Sequence, residues 1–234
     1  LELCERTGFE AVELRTTHAH GVEPGMRYED RERARDAFAR SPVQLLSFGT
    51  VCEFHSPDPE VVRANIRTCH EFVTLAHDFG AVGVKVRPNG LPEGVPVPHT
   101  LRQIGYALRE CGEFAQGYGV QIWLEVHGRG TSDLRHIRAI LDYADHPSVK
   151  VCWNSNLTDR DETGSIRKNF RLVADRIGSV HLTDLYREDY PWRELFQCLR
   201  EIGYAGFTLA EIPASSDPER VLHYFRALWR ELTR

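Results

Sequence analysis

Ionisable side chains stand at the ends of the chain's apolar, strand-like runs. The run 120–127 ends in Glu125 and His127, and Arg129 follows two residues later. Carboxylates and imidazoles can bind divalent ions and transfer protons, and guanidinium groups bind anions. A strand that delivers all three kinds of group to one place predicts chemistry on a small polar molecule.

The same pattern recurs at the other predicted strands. The polar groups at or just beyond strand ends are Glu13, Arg15, Cys52, Glu53, His55, Lys85, Arg87, Asn89, Glu125, His127, Arg129, Asn154, Asn156, His181, Asp184, Arg187 and Glu211. A single such residue is ordinary, because strand ends meet solvent. A ring of them, converging on one mouth, indicates a site at the carboxyl ends of barrel strands.

Four of these residues directly follow an apolar strand core. They are Glu125, Asn154, His181 and Glu211, after the segments WLE, VCWN, SVH and LAE. Oxygen and imidazole donors suit Mn²⁺, Mg²⁺, Co²⁺ or Zn²⁺. Spacing alone leaves two interpretations open. The four residues hold one divalent ion, or they are unrelated polar groups paired with helix caps and neighbouring arginines.

Seven short runs rich in β-branched residues predict the strands that carry these groups. They are 11–15, 43–49, 81–87, 120–127, 149–154, 179–184 and 207–212. The runs are mostly continuous rather than alternating, which is typical of parallel strands buried on both faces. Amphipathic helices are predicted between them, most clearly over 98–118 and 218–232. Regular alternation without a linker predicts one α/β domain over residues 1–234.

The choice of architecture lies between a barrel and an open doubly wound sheet. No G-x-G-x-x-G motif or P-loop follows any strand, which disfavours a nucleotide-binding open sheet. We therefore expect a (β/α)8 TIM barrel. Only seven strands are visible, and the residues after Leu1 read as the end of a helix, so the first strand of the barrel is expected before Leu1.

The composition limits the classes of partner that the protein is expected to bind. The net charge is −5 with no Lys/Arg block, which disfavours nucleic acid and anionic membranes. No apolar run approaches the ~20 residues of a membrane span. Six scattered cysteines without a CxxC pair predict free thiols in a reducing cytoplasm. The sequence leaves the oligomeric state open, and a homo-oligomer is compatible with it.

Beyond these features, the sequence resembles a known family along essentially its whole length. The segments that carry the resemblance are GFEAVEL (8–14), LEVH (124–127), VCWNSN (151–156), SVHLTD (179–184) and DYPWRELFQCLREIGYAGFTLAEI (189–212). They are similar to the xylose-isomerase-like TIM barrels, the sugar (phosphate) isomerase/epimerase superfamily that includes ketose 3-epimerases and hydroxypyruvate isomerases. The resemblance implies a TIM barrel that transfers a proton next to a carbonyl group.

The resemblance also implies roles for particular residues. One divalent ion is held in this family by Glu, Asp, His and Glu from four successive late strands, a pattern that falls on Glu125, Asn154, His181 and Glu211. The two glutamates are also implied to be the acid/base pair, and Arg187, six residues after the histidine, is implied to contact substrate. The chain departs from the family at Asn154, where the family has Asp, and at Leu157, where it has His.

Substrate contacts are expected from other groups around the same mouth. The candidates are His55, Lys85, Arg87, His127, Arg129, Asn156 and Arg187. The cations among them either bind an anionic substrate group or form salt bridges with the glutamates, and the sequence leaves both readings open. A metal-bound histidine also needs an acceptor for its other ring nitrogen, and Asp184 is close to His181 in the sequence.

These expectations lead to one leading function and two alternatives. The leading function is a metal-dependent isomerase or epimerase that acts on a small sugar or hydroxy-keto acid. A metal-assisted lyase or hydratase would share the first step, loss of a proton beside a carbonyl. A sugar-binding barrel without catalytic activity is the alternative from another class.

Overall fold

Seven parallel strands pair side by side in the order in which the chain forms them. The computed structural model of the protein describes residues 1–234. The strands are β1 (Ala11–Arg15), β2 (Gln44–Glu53), β3 (Gly83–Arg87), β4 (Gln121–Glu125), β5 (Val149–Asn154), β6 (Ile177–Leu182) and β7 (Thr208–Ala210). Each overlaps one of the seven predicted runs, so all seven predicted strands are confirmed. Together they form a nearly closed barrel, and the predicted TIM-barrel fold is confirmed.

Helices lie between the strands and around the barrel. They are α1 (Glu2–Thr7), α2 (Tyr28–Ala39), α3 (Pro59–Asp78), α4 (Val97–Gly117), α5 (Leu134–Ala144), α6 (Arg167–Arg171), α7 (Trp192–Glu201) and α8 (Pro218–Leu232), with short 3₁₀ turns at Leu157–Asp159 and Ala174–Arg176. The predicted helices over 98–118 and 218–232 correspond to α4 and α8. None of the helices has the length and apolar character that crossing a membrane requires.

Aspartates mark the starts of three of these helices. Asp58, Asp133 and Asp217 stand just before α3, α5 and α8, and each carboxylate accepts a hydrogen bond from a backbone N–H of the first turn. Such caps satisfy donors that have no partner within the helix. Proline in the first turn of α3 and α8 suits a position where no N–H is needed. Local sequence thus sets where these helices begin.

A small apolar cluster fills the barrel interior below the mouth. It consists of Ala11, Leu46, Trp123 and Cys152 and is flanked by Phe207 and Leu209. We call this cluster the barrel floor. Gly83 makes room for the indole of the floor, since a Cβ at that position would lie 2.5 Å from Trp123 Cε2. Around the barrel, 46 buried residues form the main core between strands and helices.

The barrel is open along one seam. Every pair of sequential strands is hydrogen-bonded, but β1 and β7 are not bonded to each other. A cavity of about 710 Å³ follows this seam, lined by apolar residues such as Phe207, Phe225 and Trp229 and reaching His181 and Glu211 at its polar end. The strand that the sequence places before β1 is not among the seven.

Candidate active site

Strand geometry places the polar cluster of the mouth directly above the barrel floor. Side chains alternate along a strand, so residues two apart point the same way. Glu13 follows Ala11 by two positions, Glu125 follows Trp123, Asn154 follows Cys152 and Glu211 follows Leu209. The apolar layer beneath keeps the lower side of the cluster dry, and Glu125 and His181 are each only 2% exposed.

Three of the predicted metal ligands converge. His181 Nδ1 lies 3.3 Å from Glu211 Oε2 and 3.8 Å from Glu125 Oε1. One donor atom from each of the three residues lies within 4.8 Å of the other two. His181 Nδ1 is buried and has no hydrogen-bond partner. Two carboxylates and an imidazole with a free nitrogen are a donor set that fits one divalent ion.

The opposite ring nitrogen of His181 faces a carboxylate that the sequence did not single out for this role. Glu13 Oε1 lies 3.4 Å from His181 Nε2. Ser47 donates a hydrogen bond of 2.8 Å to the other oxygen of Glu13. Gly49 leaves space for this carboxylate, because a Cβ there would lie 2.5 Å from Glu13 Oε1. Glu13, rather than Asp184, is therefore placed to fix the tautomer that presents Nδ1 to the other two carboxylates.

Lys85 neutralises part of this acidic cluster from below. Its Nζ donates a hydrogen bond of 2.7 Å to Glu125 Oε2, and the two side chains are 4% and 3% exposed. The ammonium group is thus engaged by Glu125 and lies beneath the surface of the mouth. Among the proposed substrate contacts, Lys85 is the one whose side chain bonds the side chain of a predicted metal ligand.

The pKa values of the cluster reflect this mutual neutralisation. Burial raises the pKa of Glu13, but His181 and Lys85 outweigh it and hold that pKa below its usual value. Burial lowers the pKa of His181, but the neighbouring Cys152 and Glu13 keep it well above its usual value. The neighbouring His181 imidazole is the main cause that lowers the pKa of Glu211 to about 2. Glu13 and Glu211 are therefore held ionised, and the cluster attracts positive charge.

Asn154 reaches the cluster through its amide nitrogen. Its Nδ2 donates a 3.2 Å hydrogen bond to Glu125 Oε1, whereas the sequence predicts that its oxygen is a metal ligand. Asn156 is turned away: its Nδ2 donates to the backbone carbonyls of Val126 and Asn154 at 2.7 and 2.9 Å. The role of Asn154 as a ligand and that of Asn156 in substrate binding stay predictions.

Two of the predicted substrate contacts belong to a second polar group, formed at the ends of β2 and β3. Arg87 Nη2 donates a 2.5 Å hydrogen bond to Glu53 Oε1, and Asn89 Nδ2 donates to the same oxygen. His55 Nδ1 lies 3.9 Å from Glu53 Oε2, too far for a hydrogen bond. We call Glu53, His55, Arg87 and Asn89 the β2–β3 cluster.

The remaining predicted contacts differ in their surroundings. His127 follows Glu125 by two positions, and its buried Nδ1 has no hydrogen-bond partner. Arg129 is exposed in the loop that follows. Arg187 lies in the loop after β6, where Asp189 holds its guanidinium at 2.7 Å. The structure brings neither arginine into an ion pair with the carboxylates of the cluster.

The sequence analysis assigned no specific role to three strand-end residues that the structure places at the mouth. Glu13 faces His181, Glu53 binds Arg87, and Arg15 Nη1 lies 3.8 Å from Glu211 Oε1. All three stand at strand ends in the sequence, so position alone marked them as candidates. The missing signal was the pairing, which depends on how neighbouring strands are aligned: Glu13 lies opposite Ser47, and Glu53 opposite Arg87.

Comparison with known proteins identifies the class of protein that this fold and site define. The family model described as Xylose isomerase-like TIM barrel matches residues 1–231. The chain belongs to this family. A D-psicose 3-epimerase of Enterocloster bolteae is 27% identical over 176 residues, which cover 67% of this chain and 56% of that protein. The match thus spans little more than half the length of this relative.

Solved structures share the fold at low sequence identity. A D-psicose 3-epimerase of Clostridium cellulolyticum H10, crystallised with D-tagatose, superposes with a TM-score of 0.84 at 16% identity, covering 100% of this chain and 92% of that one. The IOLI protein, whose structure holds a zinc atom, gives a TM-score of 0.81 at 17% identity and covers 99% and 91% of the two chains. These likenesses establish the barrel architecture.

Proposed function

We propose that this protein is a divalent-metal-dependent epimerase or isomerase of a small neutral keto-sugar. The observation that carries the proposal is the arrangement around His181, where Glu125 and Glu211 approach the same unpartnered ring nitrogen from two strands. The similarity to D-psicose 3-epimerases, one in sequence and one in fold, supports the choice of reaction class. The zinc atom of the IOLI protein supports a divalent ion as cofactor.

In this proposal Glu125, His181 and Glu211 hold the ion, and Asn154 stands beside it. A divalent ion there would polarise the carbonyl of a bound keto-sugar and so acidify the adjacent C–H. Burial of Glu125 and His181 excludes water from the inner side of the site. A dry site strengthens every charge interaction with the substrate.

Glu125 and Glu211 are the proposed acid and base. They stand on β4 and just after β7, so a substrate bound between them meets one carboxylate on each side. Glu211 is the more accessible, with 31% of its side chain exposed, and its lowered pKa keeps it in the ionised form that a base requires. Lys85 fixes the position of the Glu125 carboxylate through its 2.7 Å contact with Oε2 and leaves Oε1 towards His181. Removal of a proton by one group and return by the other inverts a carbon or moves a carbonyl.

The charges around the mouth favour a neutral substrate over an anionic one. Lys85 is paired with Glu125, Arg87 with Glu53, and Arg187 with Asp189. A phosphate or carboxylate would have to compete with these existing partners. For Lys85 and Arg87 this pairing supports the second alternative, salt bridges with glutamates, whereas Arg187 pairs with an aspartate.

Proton exchange with solvent tests the proposal directly. The protein is incubated in D₂O with Mn²⁺ and a panel of ketohexoses, and the products are followed by NMR. We expect deuterium at one carbon next to the carbonyl, together with an epimer or an aldose. Protein stripped of metal with a chelator is the control and should give neither. No exchange with any sugar, despite bound metal, would contradict an epimerase or isomerase.

The same spectra separate the alternatives. A lyase that eliminates water would give a dehydrated product, in which the resonance of a carbon-bound CH–O proton is replaced by a methylene or alkene resonance. A sugar-binding barrel without activity would bind sugar without exchanging any proton. A metal measurement on protein purified without chelator completes the test, and we expect about one ion per chain.

A further inference from the structure

The β2–β3 cluster contains buried nitrogen atoms that nothing in the protein satisfies. His55 Nδ1 and Arg87 Nε are buried without a hydrogen-bond partner, and so is His127 Nδ1 at the end of the neighbouring strand β4. Buried polar atoms are nearly always paired with protein or water. Three such atoms at the ends of three adjacent strands indicate a site for a ligand rich in hydrogen-bonding oxygens.

The backbone of the cluster is held in an unusual conformation. Asn89 has a φ of 56°, in the left-handed region that non-glycine residues rarely adopt. This conformation accompanies the contact between its amide and Glu53. Gly128, in the next loop, packs so closely that a Cβ there would lie 2.7 Å from Asn89 Cα. Strain of this kind collects at binding and catalytic sites.

The cluster is electrically balanced. Glu53 and Arg87 form a single pair in which each side chain is 22% exposed. An anion near Arg87 would also lie near the Glu53 carboxylate, which repels it. A hydroxyl group, by contrast, can donate to Glu53 and accept from Arg87 or a histidine at once. The cluster therefore suits a neutral polyol and discriminates against phosphate or carboxylate.

The position of the cluster fits the far end of a sugar. Arg87 stands two residues beyond Lys85 on β3, and Lys85 binds the proposed metal ligand Glu125. Two residues correspond to about 6–7 Å along a strand. A keto-sugar whose reacting carbon lies at Glu125 can reach the cluster with its distal hydroxyls.

From these observations we propose that Glu53 is the residue that makes this site select neutral sugars, because it occupies the guanidinium of Arg87 and presents a carboxylate to the distal hydroxyls. The inference rests on the proposed function, since it concerns the substrate of the same site. It assigns the choice between a sugar and its phosphate ester to one ion pair at the ends of β2 and β3.

Equilibrium binding tests this inference without turnover. D-fructose and D-fructose 6-phosphate are titrated calorimetrically into Mg²⁺-loaded protein, wild type and Glu53→Gln. In the wild type we expect D-fructose to bind at least as tightly as its phosphate. Glu53→Gln frees Arg87 to bind the phosphate group. The dissociation constant of D-fructose 6-phosphate divided by that of D-fructose should therefore fall roughly tenfold or more. An unchanged ratio would overturn the inference.

Asp78→Asn is the matched control. Asp78 holds Arg31 at 2.6 Å between α2 and α3, outside the barrel, and the two side chains are 32% and 23% exposed. The substitution also frees a partly buried arginine, but the ratio should stay at the wild-type value. A similar shift in this control would show that net charge alone changes the preference, which would also overturn the inference.

A second variant covers the case in which Glu53→Gln fails to fold, as judged by circular dichroism. Arg87→Gln should weaken D-fructose binding about tenfold and should not tighten binding of the phosphate. Tighter phosphate binding in this variant would contradict the assignment. If the wild type shows proton exchange with D-fructose but Glu53→Gln leaves the ratio unchanged, the inference fails while the proposed function stands. If the wild type binds neither compound and exchanges no proton, the proposed function fails and the inference with it.

Discussion

The two halves of the barrel mouth handle charge in opposite ways. On the side of β4–β7, Glu125 and Glu211 crowd around His181, with Glu13 behind the imidazole. On the side of β2 and β3, one carboxylate meets one guanidinium. The first half has an excess of negative charge and attracts a cation, whereas the second is balanced and suits hydroxyl groups. One mouth can therefore combine a charged reaction centre with a neutral recognition surface, because the two are built on different strands.

The largest effect is expected at Lys85, the cation that partly offsets the acidic half. Lys85→Met leaves Glu125 buried without its ion-pair partner, and loss of one member of a buried pair destabilises by about 3–5 kcal/mol. Urea unfolding of metal-free protein measures the loss. Arg31→Met breaks a more exposed pair and should have a much smaller effect. Equal losses in the two variants would show that the acidic half does not depend on Lys85.

Glu125→Gln and Glu211→Gln test whether the acidic half carries out the chemistry. Each change keeps the shape of the side chain but removes the carboxylate, so turnover should fall on the order of 10²-fold or more. Steady-state rates on the sugar that exchanges its proton fastest provide the measurement. Glu60→Gln, an exposed site on α3, is the control for removing a carboxylate. Unchanged turnover in either barrel variant would exclude that residue from proton transfer.

Asn154 determines how negative the acidic half is. Glu13, Glu125 and Glu211 contribute three negative charges, which Lys85 and one divalent ion would balance. Asn154→Asp adds a fourth carboxylate, so it should tighten Mn²⁺ binding, by about tenfold, and leave turnover equal or lower. Calorimetric titration of Mn²⁺ into the wild type and the Asn154→Asp variant measures the difference in affinity. Identical affinities would mean that residue 154 does not face the ion.

Asp159 shows what happens to a buried carboxyl group that has no cation beside it. It is fully buried in the turn after β5, and burial raises its pKa to about 8 despite hydrogen bonds from Asn156 and Tyr190. The folded state therefore holds this proton where the unfolded state, with a pKa near 4, has lost it. The stabilisation is complete below about pH 4 and is lost as pH rises through about 8.

Asp159→Asn should remove this pH dependence. Between pH 6 and pH 8 the wild type should lose about 2 kcal/mol more of its unfolding free energy than the variant. Denaturant unfolding at several pH values gives the comparison. Asp161→Asn is the control, because hydrogen bonds from Thr163 lower the pKa of that exposed carboxyl and the loss of stability between pH 6 and pH 8 should persist. Parallel curves for wild type and Asp159→Asn would show that Asp159 does not titrate in this range.

The sequence predicts which residues stand at the barrel mouth, but it does not predict which of them contact each other. Strand ends are visible as breaks in apolar runs, so position marked Glu125, His181 and Glu211 as candidates, and the family resemblance implied their role as metal ligands. Partners are different, because they depend on strand alignment and on side-chain direction. The contact of Glu13 with His181 crosses the open seam between β1 and β7. The pairing of Glu53 with Arg87 joins the neighbouring strands β2 and β3.

Arg187 illustrates the same difficulty in a loop. Its spacing from His181 implied a substrate contact, but the structure places Asp189 on its guanidinium, an interaction between residues two apart in an exposed segment. Neither the spacing nor the residue type indicates whether the guanidinium of Arg187 binds a substrate or Asp189. The family resemblance implied the substrate contact, whereas the ion pair with Asp189 is visible only in the three-dimensional structure.

The seam between β1 and β7 has a consequence for the behaviour of this 234-residue chain in solution. Each of the two strands presents backbone N–H and C=O groups without a strand partner, beside a cavity lined with aromatic residues. Unpaired strand edges of this kind recruit strands from other molecules. The 234-residue chain should accordingly self-associate as its concentration rises, with a thermal midpoint and light scattering that depend on concentration. An extended peptide with alternating apolar residues, added in excess, should compete with this association by occupying the seam.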